Sequence, residues 1–421
     1  MTRFSVLFPF PLLIALLFAA AAADAATLPG FRVETLARTP GFVSSVVTDS
    51  NGTIYFSTTN GWIYRVDGNV ATKVAALPTH AGGNGGLLGM ALIDDQTAAV
   101  HYTTWNDETG EQAKVLDDVI SRVDLRNGAE TVLHAFACDI ENRLRGASSE
   151  HHGGNLIVAP DGSIYVGIGE YGAYVIAQKP EWNAGKIWKI DPRGNATQWA
   201  LGMRNPFDLA WDPENEWIVA TDNGSEGGDE IHVIPEGSNC GWPYTYGNQP
   251  PVADTVAPAY VFANTVAPTG LQRLNAHNPI LNDGYLVGAF VTRALYFMPR
   301  TFGEAIPVVE GFSEFVIDVT QSSTGDVIFA TAMGATSSIH RLRPPLRGDC
   351  NGDGFTDTRD VLPLVSELED GNPQERVRAQ QGAHRSSWGC DANADGVIDT
   401  RDVNALRSLI GSGRRRAVRS R

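Results

Sequence analysis

Short runs of alternating apolar and polar residues recur between residues 30 and 345, each cut by a turn built on Asp, Asn or Gly. Residues 46–56 join two apolar runs through Asp49-Ser-Asn-Gly52, and a third run, Ile63-Tyr-Arg-Val-Asp67, closes the unit on a basic residue and an Asp. The same shape returns at residues 156–166, with Pro160-Asp-Gly162 as the turn and Lys186-Ile-Trp-Lys-Ile-Asp191 as the third run. Fainter copies occupy residues 209–219 and 319–330, the last closing on Ile339-His-Arg-Leu342. A period of two residues is that of a strand, because successive side chains leave opposite faces of a pleated chain. Units returning every 40 to 50 residues or so, with almost no helical periodicity, predict an all-β fold: a β-propeller of about six blades. A sandwich is the competing architecture, and the regular spacing and the length of the region count against it. In a propeller the loops leading into the innermost strands gather round one channel, so a site is expected there.

The pattern changes after Pro344-Pro345. Residues 349–360 and 391–402 are twelve-residue loops with oxygen-bearing side chains at positions 1, 3, 5, 9 and 12 and glycine at position 6, where a chain wrapping a calcium ion must turn sharply. The first set is Asp349, Asn351, Asp353, Asp357 and Asp360, with the Phe355 carbonyl at position 7. The second is Asp391, Asn393, Asp395, Asp399 and Asp402, with the Val397 carbonyl. Short helices are predicted over 361–368 and 403–409. Two Asp/Asn-rich surface turns would be the plainer explanation, but both loops satisfy the whole calcium pattern.

Composition adds compartment and charge. With 421 residues, 43% hydrophobic and 19% charged, the chain can fill a large core and a small extra domain. Residues 1–26 read as a secretory signal, with Arg3, an apolar stretch over 6–18 and a small-residue cleavage motif at Ala23-Asp-Ala25, so the protein is expected to be extracellular or periplasmic. No later run approaches the roughly 20 apolar residues a membrane span needs. A net charge of −16, from 48 acidic against 32 basic residues, argues against nucleic acid as a partner and suits calcium. The arginines at 414–416 read as a disordered basic end. The expected organisation is a signal over 1–26, the propeller over 27–345, a calcium domain over 346–412 and the tail over 413–421. Export makes disulfides possible. Cys350 and Cys390 hold similar places in the two loops and are candidates to pair, leaving Cys138 with Cys240; sequence does not fix that connectivity.

A loop followed by one helix, twice over, resembles a type I dockerin module, with Thr358-Arg359 and Thr400-Arg401 at the positions where dockerins meet their cohesin partner. The resemblance implies a small α-helical calcium-binding domain and a cohesin-like partner. One departure is the long polar stretch over 371–389. The alternative is a module that binds calcium only for its own stability.

Four further motifs, in order along the propeller, resemble the soluble sugar dehydrogenases that use pyrroloquinoline quinone (PQQ) and calcium, the glucose/sorbosone dehydrogenase family. They are Asn84-Gly-Gly-Leu-Leu-Gly-Met-Ala91, His151-His-Gly-Gly-Asn-Leu156, Gly185-Lys-Ile-Trp-Lys-Ile-Asp-Pro192, and Gly202-Met-Arg-Asn-Pro-Phe-Asp-Leu-Ala210 followed by Thr221-Asp-Asn-Gly-Ser-Glu-Gly-Gly-Asp-Glu-Ile231 and Gly241-Trp-Pro243. The resemblance implies that His151 is the base taking the sugar hydroxyl proton, that Arg204 stabilises charge on the quinone, and that backbone oxygens of Gly224 and Ser225 hold calcium. It also implies a second, structural calcium at Asp229 and Glu230. Departures fall on the residues that grip the cofactor. Asn84 stands where the family has glutamine, Arg293 is the nearest replacement for a missing lysine, and Phe315-Val-Ile-Asp-Val319 occupies the place of an Arg-x-Arg-Asp-Val segment. The leading reading is thus an exported sugar oxidoreductase passing electrons to an external acceptor. The alternative is a catalytically degenerate propeller that binds calcium and acts as a scaffold; a calcium-dependent lactonase ranks last for lack of a carboxylate ligand set.

Overall fold

The computed structural model describes residues 26–27, 31–106, 115–138, 150–225, 227–275, 281, 283–369, 388–395 and 398–419; residues 1–25 of the expected signal, the connector over 370–387 and Val397 lie outside them. Six antiparallel sheets form the six-bladed propeller expected from the repeat. Their innermost strands are Val43–Thr48, Leu87–Asp94, Leu156–Val158, Pro206–Asp212, Pro268–Arg273 and Phe315–Gln321, and each touches the next round the channel. In the first blade Ile54–Thr58 and Trp62–Asp67 follow, and in the third Ile164–Ile168 and Lys186–Ile190. The ring closes through the N-terminal side of the chain: Arg32–Pro40 is the outer strand of the sixth blade, paired with Thr336–Arg343, with Thr35 opposite His340. Ala26–Thr27 adds a fifth strand to the fifth blade, against Ile306–Glu310.

Second strands such as Ile54–Thr58 and Ile164–Ile168 are buried along their whole length because each blade is covered on both faces by its neighbours. Phe136, Leu156, Ile168 and Ile190 fill the space between the second and third blades; Tyr165, Ile187, Leu209 and Ile218 fill that between the third and fourth. Each such side chain contributes about 1.5–3 kcal/mol of burial.

Polar groups stitch the innermost strands where the blades converge. Ser45 Oγ donates to Met90 O at 3.1 Å, Asn155 Oδ1 accepts from Met90 N at 3.0 Å, and Asn155 N donates to Phe207 O at 2.7 Å. Leu271 N donates to Asp208 Oδ2 at 2.6 Å, Thr269 Oγ1 to Val316 O at 3.0 Å, and Val46 N to Asp318 Oδ2 at 2.7 Å. These bonds link all six blades in a closed circuit, satisfying backbone groups that diverging strands cannot pair. Burial pushes the Asp318 carboxyl up to about 7; burial and the facing Asp318 push Asp208 well up too.

The chain leaves the propeller after Arg343 and enters the first twelve-residue loop, whose Gly354 lies against the Arg32 guanidinium in the sixth blade. Two helices follow, Val361–Glu369 and Thr400–Arg419, and Leu364, Ile398 and Leu406 pack round the Cys350–Cys390 disulfide. Two expectations are corrected. The second helix runs on through Arg419, so residues 414–416 continue helical backbone instead of a disordered end. Cys138 and Cys240 do not pair: they are free thiols buried on different sides of the third blade, where packing holds them in separate clusters.

Candidate active site

His151 sits in the loop entering the third blade's innermost strand, with φ at +53°, and Gly153 follows at +78°. The left-handed turn aims the imidazole at Glu170, at the end of the second strand of the same blade. His151 Nδ1 lies 2.6 Å from Glu170 Oε1, and the carboxylate is fully buried. A carboxylate only accepts, so Nδ1 carries the proton and Nε2 offers a lone pair. Glycine makes this approach possible, since a Cβ on Gly169 would fall 2.1 Å from His151 O. Sequence reasoning missed Glu170. The available signal was its setting, Gly169-Glu-Tyr-Gly172, where flanking glycines mark close backbone approach.

Arg204 is next to this pair. Glu170 N donates to Arg204 O at 2.9 Å, and Gly153 N to Asn205 Oδ1 at 3.0 Å. The arginine is anchored from below: Asp222, deeply buried, accepts from Arg204 N at 2.9 Å and Asn205 N at 2.6 Å. Burial and the nearby Glu230 push Asp222 up to about 7. One guanidinium nitrogen, Nη1, donates to Asn223 O at 2.6 Å, and the guanidinium carbon is 5.6 Å from the Trp242 ring centre. Three buried polar atoms here have no hydrogen-bond partner among the described residues: Arg204 Nε, Glu170 Oε2 and Trp242 Nε1. Orphaned groups of both signs fit a polar ligand in this corner.

The neighbouring loop carries Gly224 and Ser225, joined to Arg204 through Asn223. Gly224 N donates to Asp229 Oδ1 at 3.0 Å, and Ser225 O accepts from Gly228 N at 3.1 Å. The other Asp229 oxygen accepts from Val266 N and Ala267 N, at 2.7 and 2.8 Å, so this carboxylate pins two loops together. Glu230 points elsewhere: it accepts from His232 Nε2 at 2.7 Å and from Gly247 N, and its ligand atom lies within 4.8 Å of those of Asp222 and His232. Asp229, just before the strand Glu230–Ile234, and Glu230, its first residue, thus have different hydrogen-bond partners. Among the described residues no hydrogen bond links Asn84 or Arg293 to His151 or Arg204. Asn84 is exposed in the turn between Gly82 and Gly85, while Arg293 donates to Ser313 O at 3.2 Å and stacks 4.9 Å from the Phe315 ring centre. Phe315 itself stacks on Phe290 with ring centres 4.0 Å apart. A cavity of about 730 Å3 lies further along the channel, lined by Asn155, Asp208, Asp318 and the strand segments beyond them, away from His151.

The last carboxylates of the two C-terminal loops are held alike. Asp360 accepts from Asn351 N and Asp357 N, at 3.1 and 2.8 Å, and Asp402 accepts from Asn393 N and Asp399 N, at 3.0 and 2.8 Å. Asp349 is fully buried; one oxygen accepts from Gly354 N at 2.9 Å, and the other has no hydrogen-bond partner among the described residues. Burial, reinforced by Asp360 and Asp353, raises its pKa. Arg359 bridges Asp353 and Asp357, and Arg401 bridges Asp395 and Asp399. Phe355 is exposed, with its N–H on Asp353 Oδ1 at 3.0 Å, and Asp391 accepts from Asp395 N at 3.1 Å.

A six-bladed propeller with an imidazole, a buried carboxylate and a guanidinium at one channel mouth has acid–base and charge-stabilising groups on a rigid frame. The chain belongs to the glucose/sorbosone dehydrogenase family, whose model matches residues 42–339. An uncharacterised Synechocystis protein, slr1608, is 30% identical over 220 residues, 43% of this chain and 53% of its own length. Aldose sugar dehydrogenase YliI of Escherichia coli is 26% identical over 253 residues, 52% of this chain and 66% of its own. The chain thus spans between about half and two thirds of these relatives. A PQQ-bound aldose sugar dehydrogenase from Streptomyces coelicolor shares the fold, with a TM-score of 0.60 at 20% identity, covering 76% of this chain and 99% of that one.

Proposed function

We propose that the chain is an exported quinoprotein oxidoreductase that oxidises an aldose or related sugar, using PQQ and calcium, and passes the electrons to an external acceptor. The observation that carries this reading is the His151–Glu170 pair at 2.6 Å beside Arg204. When bound, PQQ supplies a quinone able to take up a hydride and its two electrons. The chain's own part is the proton: Nε2 of His151 takes it from the sugar hydroxyl, and the buried Glu170 carboxylate steadies the resulting imidazolium. Arg204 sets a fixed positive charge at the mouth, with Nε left to a ligand on which negative charge gathers. Backbone oxygens of Gly224 and Ser225 are the proposed calcium ligands, on a loop tied to Arg204 through Asn223. Family membership and the PQQ-bound neighbour support the cofactor.

The C-terminal loops are proposed to hold calcium in a dockerin-like module, supported by the orphaned Asp349 oxygen within two parallel oxygen-rich loops. The Cys350–Cys390 disulfide supports export to an oxidising compartment. A cohesin-like partner is proposed on the resemblance of the two Thr-Arg pairs alone. A scaffold function is the second reading, favoured by one observation: Phe315, where the first of two cofactor-gripping arginines was expected, stacks on Phe290, and buried Ile317 takes the place of the second.

The test is reconstitution. Purified chain with calcium and PQQ should bind the quinone and reduce a dye with a panel of aldoses. No binding at saturating quinone would leave the scaffold reading in its place.

A further inference from the structure

A second cluster of chemically active side chains lies directly behind the His151–Glu170 pair. His152 and Tyr171, the next residue in each strand segment, point into the space between the second and third blades and meet Asp118, Cys138 and His101 there. All five side chains are buried. We propose that Asp118, Cys138 and His152 form a site for a zinc-type divalent transition metal, with His101 orienting the carboxylate.

Three observations carry it. The first is convergence. A carboxylate oxygen, a thiol sulfur and an imidazole nitrogen lie within 4.8 Å of one another, a mixed O, S and N set that suits zinc and its neighbours and is poorly suited to calcium. Bond lengths of 2.0–2.3 Å in a tetrahedral site imply ligand-to-ligand edges of about 3.3–3.8 Å. Cys138 Sγ is 3.2 Å, and His152 Nδ1 3.1 Å, from Asp118 Oδ2, so these two edges fall a little short of tetrahedral ones, and Sγ and Nδ1 lie within 4.8 Å of each other.

The second is over-commitment. Tyr171 O–H at 2.6 Å, the His152 ring nitrogen and the Cys138 thiol all converge on the single oxygen Oδ2. A carboxylate oxygen has two in-plane lone pairs, so three groups able to donate crowd it. A cation among Oδ2, Sγ and Nδ1 resolves the crowding: the thiol gives up its proton to solvent, the imidazole binds through its lone pair, and Tyr171 keeps its hydrogen bond.

The third is the outer shell. His101 Nδ1 is 2.8 Å from Gly154 O and Nε2 is 3.1 Å from the other Asp118 oxygen. Backbone carbonyl to histidine to ligating carboxylate is the kind of second-shell chain that fixes a metal ligand in orientation. Because Gly154 belongs to the His151 loop and Tyr171 follows Glu170, the ion would hold both strand segments behind the proposed catalytic pair.

The experiment loads the purified full-length chain with cobalt(II) as a spectroscopic probe for zinc and follows the near-ultraviolet thiolate-to-cobalt absorption. The expected result is one equivalent of cobalt showing this band in the wild type and in Cys240→Ser, with the band lost in Cys138→Ser and Asp118→Asn. Alkylation with mass spectrometry, on the wild type alone, should show Cys138 slowed by cobalt and Cys240 unchanged, which keeps the test decisive where a variant fails to fold. No thiolate band at excess cobalt, a band that survives Cys138→Ser, or equal alkylation of Cys138 with and without metal would overturn the proposal. None of these measurements uses sugar or quinone, so their failure is distinct from that of the dehydrogenase reading.

Discussion

The two halves of the channel mouth are built differently. On the side of the third and fourth blades, His151, Glu170, Arg204 and the 223–225 loop are tied to one another and to the buried Asp222 by a dense set of hydrogen bonds. Round the fifth and sixth blades and the entry to the second, the corresponding positions hold the Phe290–Phe315 stack, Arg293 engaged with Ser313, and an exposed Asn84 turn. Proton transfer and charge stabilisation need fixed groups on rigid elements, and the first half supplies them. Gripping a multiply charged cofactor needs cations, and the second half supplies aromatic surface.

Four experiments sharpen or break that contrast. The largest effect is expected from His151→Ala, which should lower kcat by about 10²–10⁴-fold while quinone affinity stays within a factor of about two; a parallel loss of binding would break the division of labour. Arg204→Ala should cost about 10²–10³-fold in turnover, read by steady-state kinetics at saturating quinone. Phe315→Arg should act on the other half, tightening quinone binding about tenfold in a fluorescence titration, near the 1.4 kcal/mol of one charge-assisted bond. The smallest effect is on stability. Asp318 and Asp222, each up to about 7, and Asp208 in the same direction bind protons more tightly in the folded chain than in the unfolded one. Their contribution is therefore complete below the ordinary carboxylate range and fades as pH rises toward 7. The unfolding free energy from denaturant titrations should fall between pH 4 and 7, and Asp318→Asn should flatten that slope.

The blades were legible because the first and second strands of each unit repeat one apolar alternation with one turn chemistry. Leu156 pairs with Val166 across the Pro160-Asp-Gly162 turn, as the spacing implies. Closure was not legible, since the alternation in residues 32–40 marks a strand but carries nothing about its partner more than 300 residues away. His151 and Arg204 were visible as motifs. Glu170 was not, because a single carboxylate between glycines has no spacing code. Asp229 and Glu230 looked like one site because they are adjacent, yet Asp229 binds the backbone of Gly224, Val266 and Ala267 while Glu230 binds His232 and Gly247. Cys138 and Cys240 looked like a pair by elimination, and the folded blades place each beside its own histidine and carboxylate cluster instead.

The most direct measurement is an anaerobic single turnover. Chain reconstituted with calcium and PQQ is mixed with excess aldose and no electron acceptor, and the quinone absorption is followed. The account predicts reduction of one quinone per chain, abolished in His151→Ala with the quinone still bound. A wild-type complex that holds its quinone and never reduces it would contradict it.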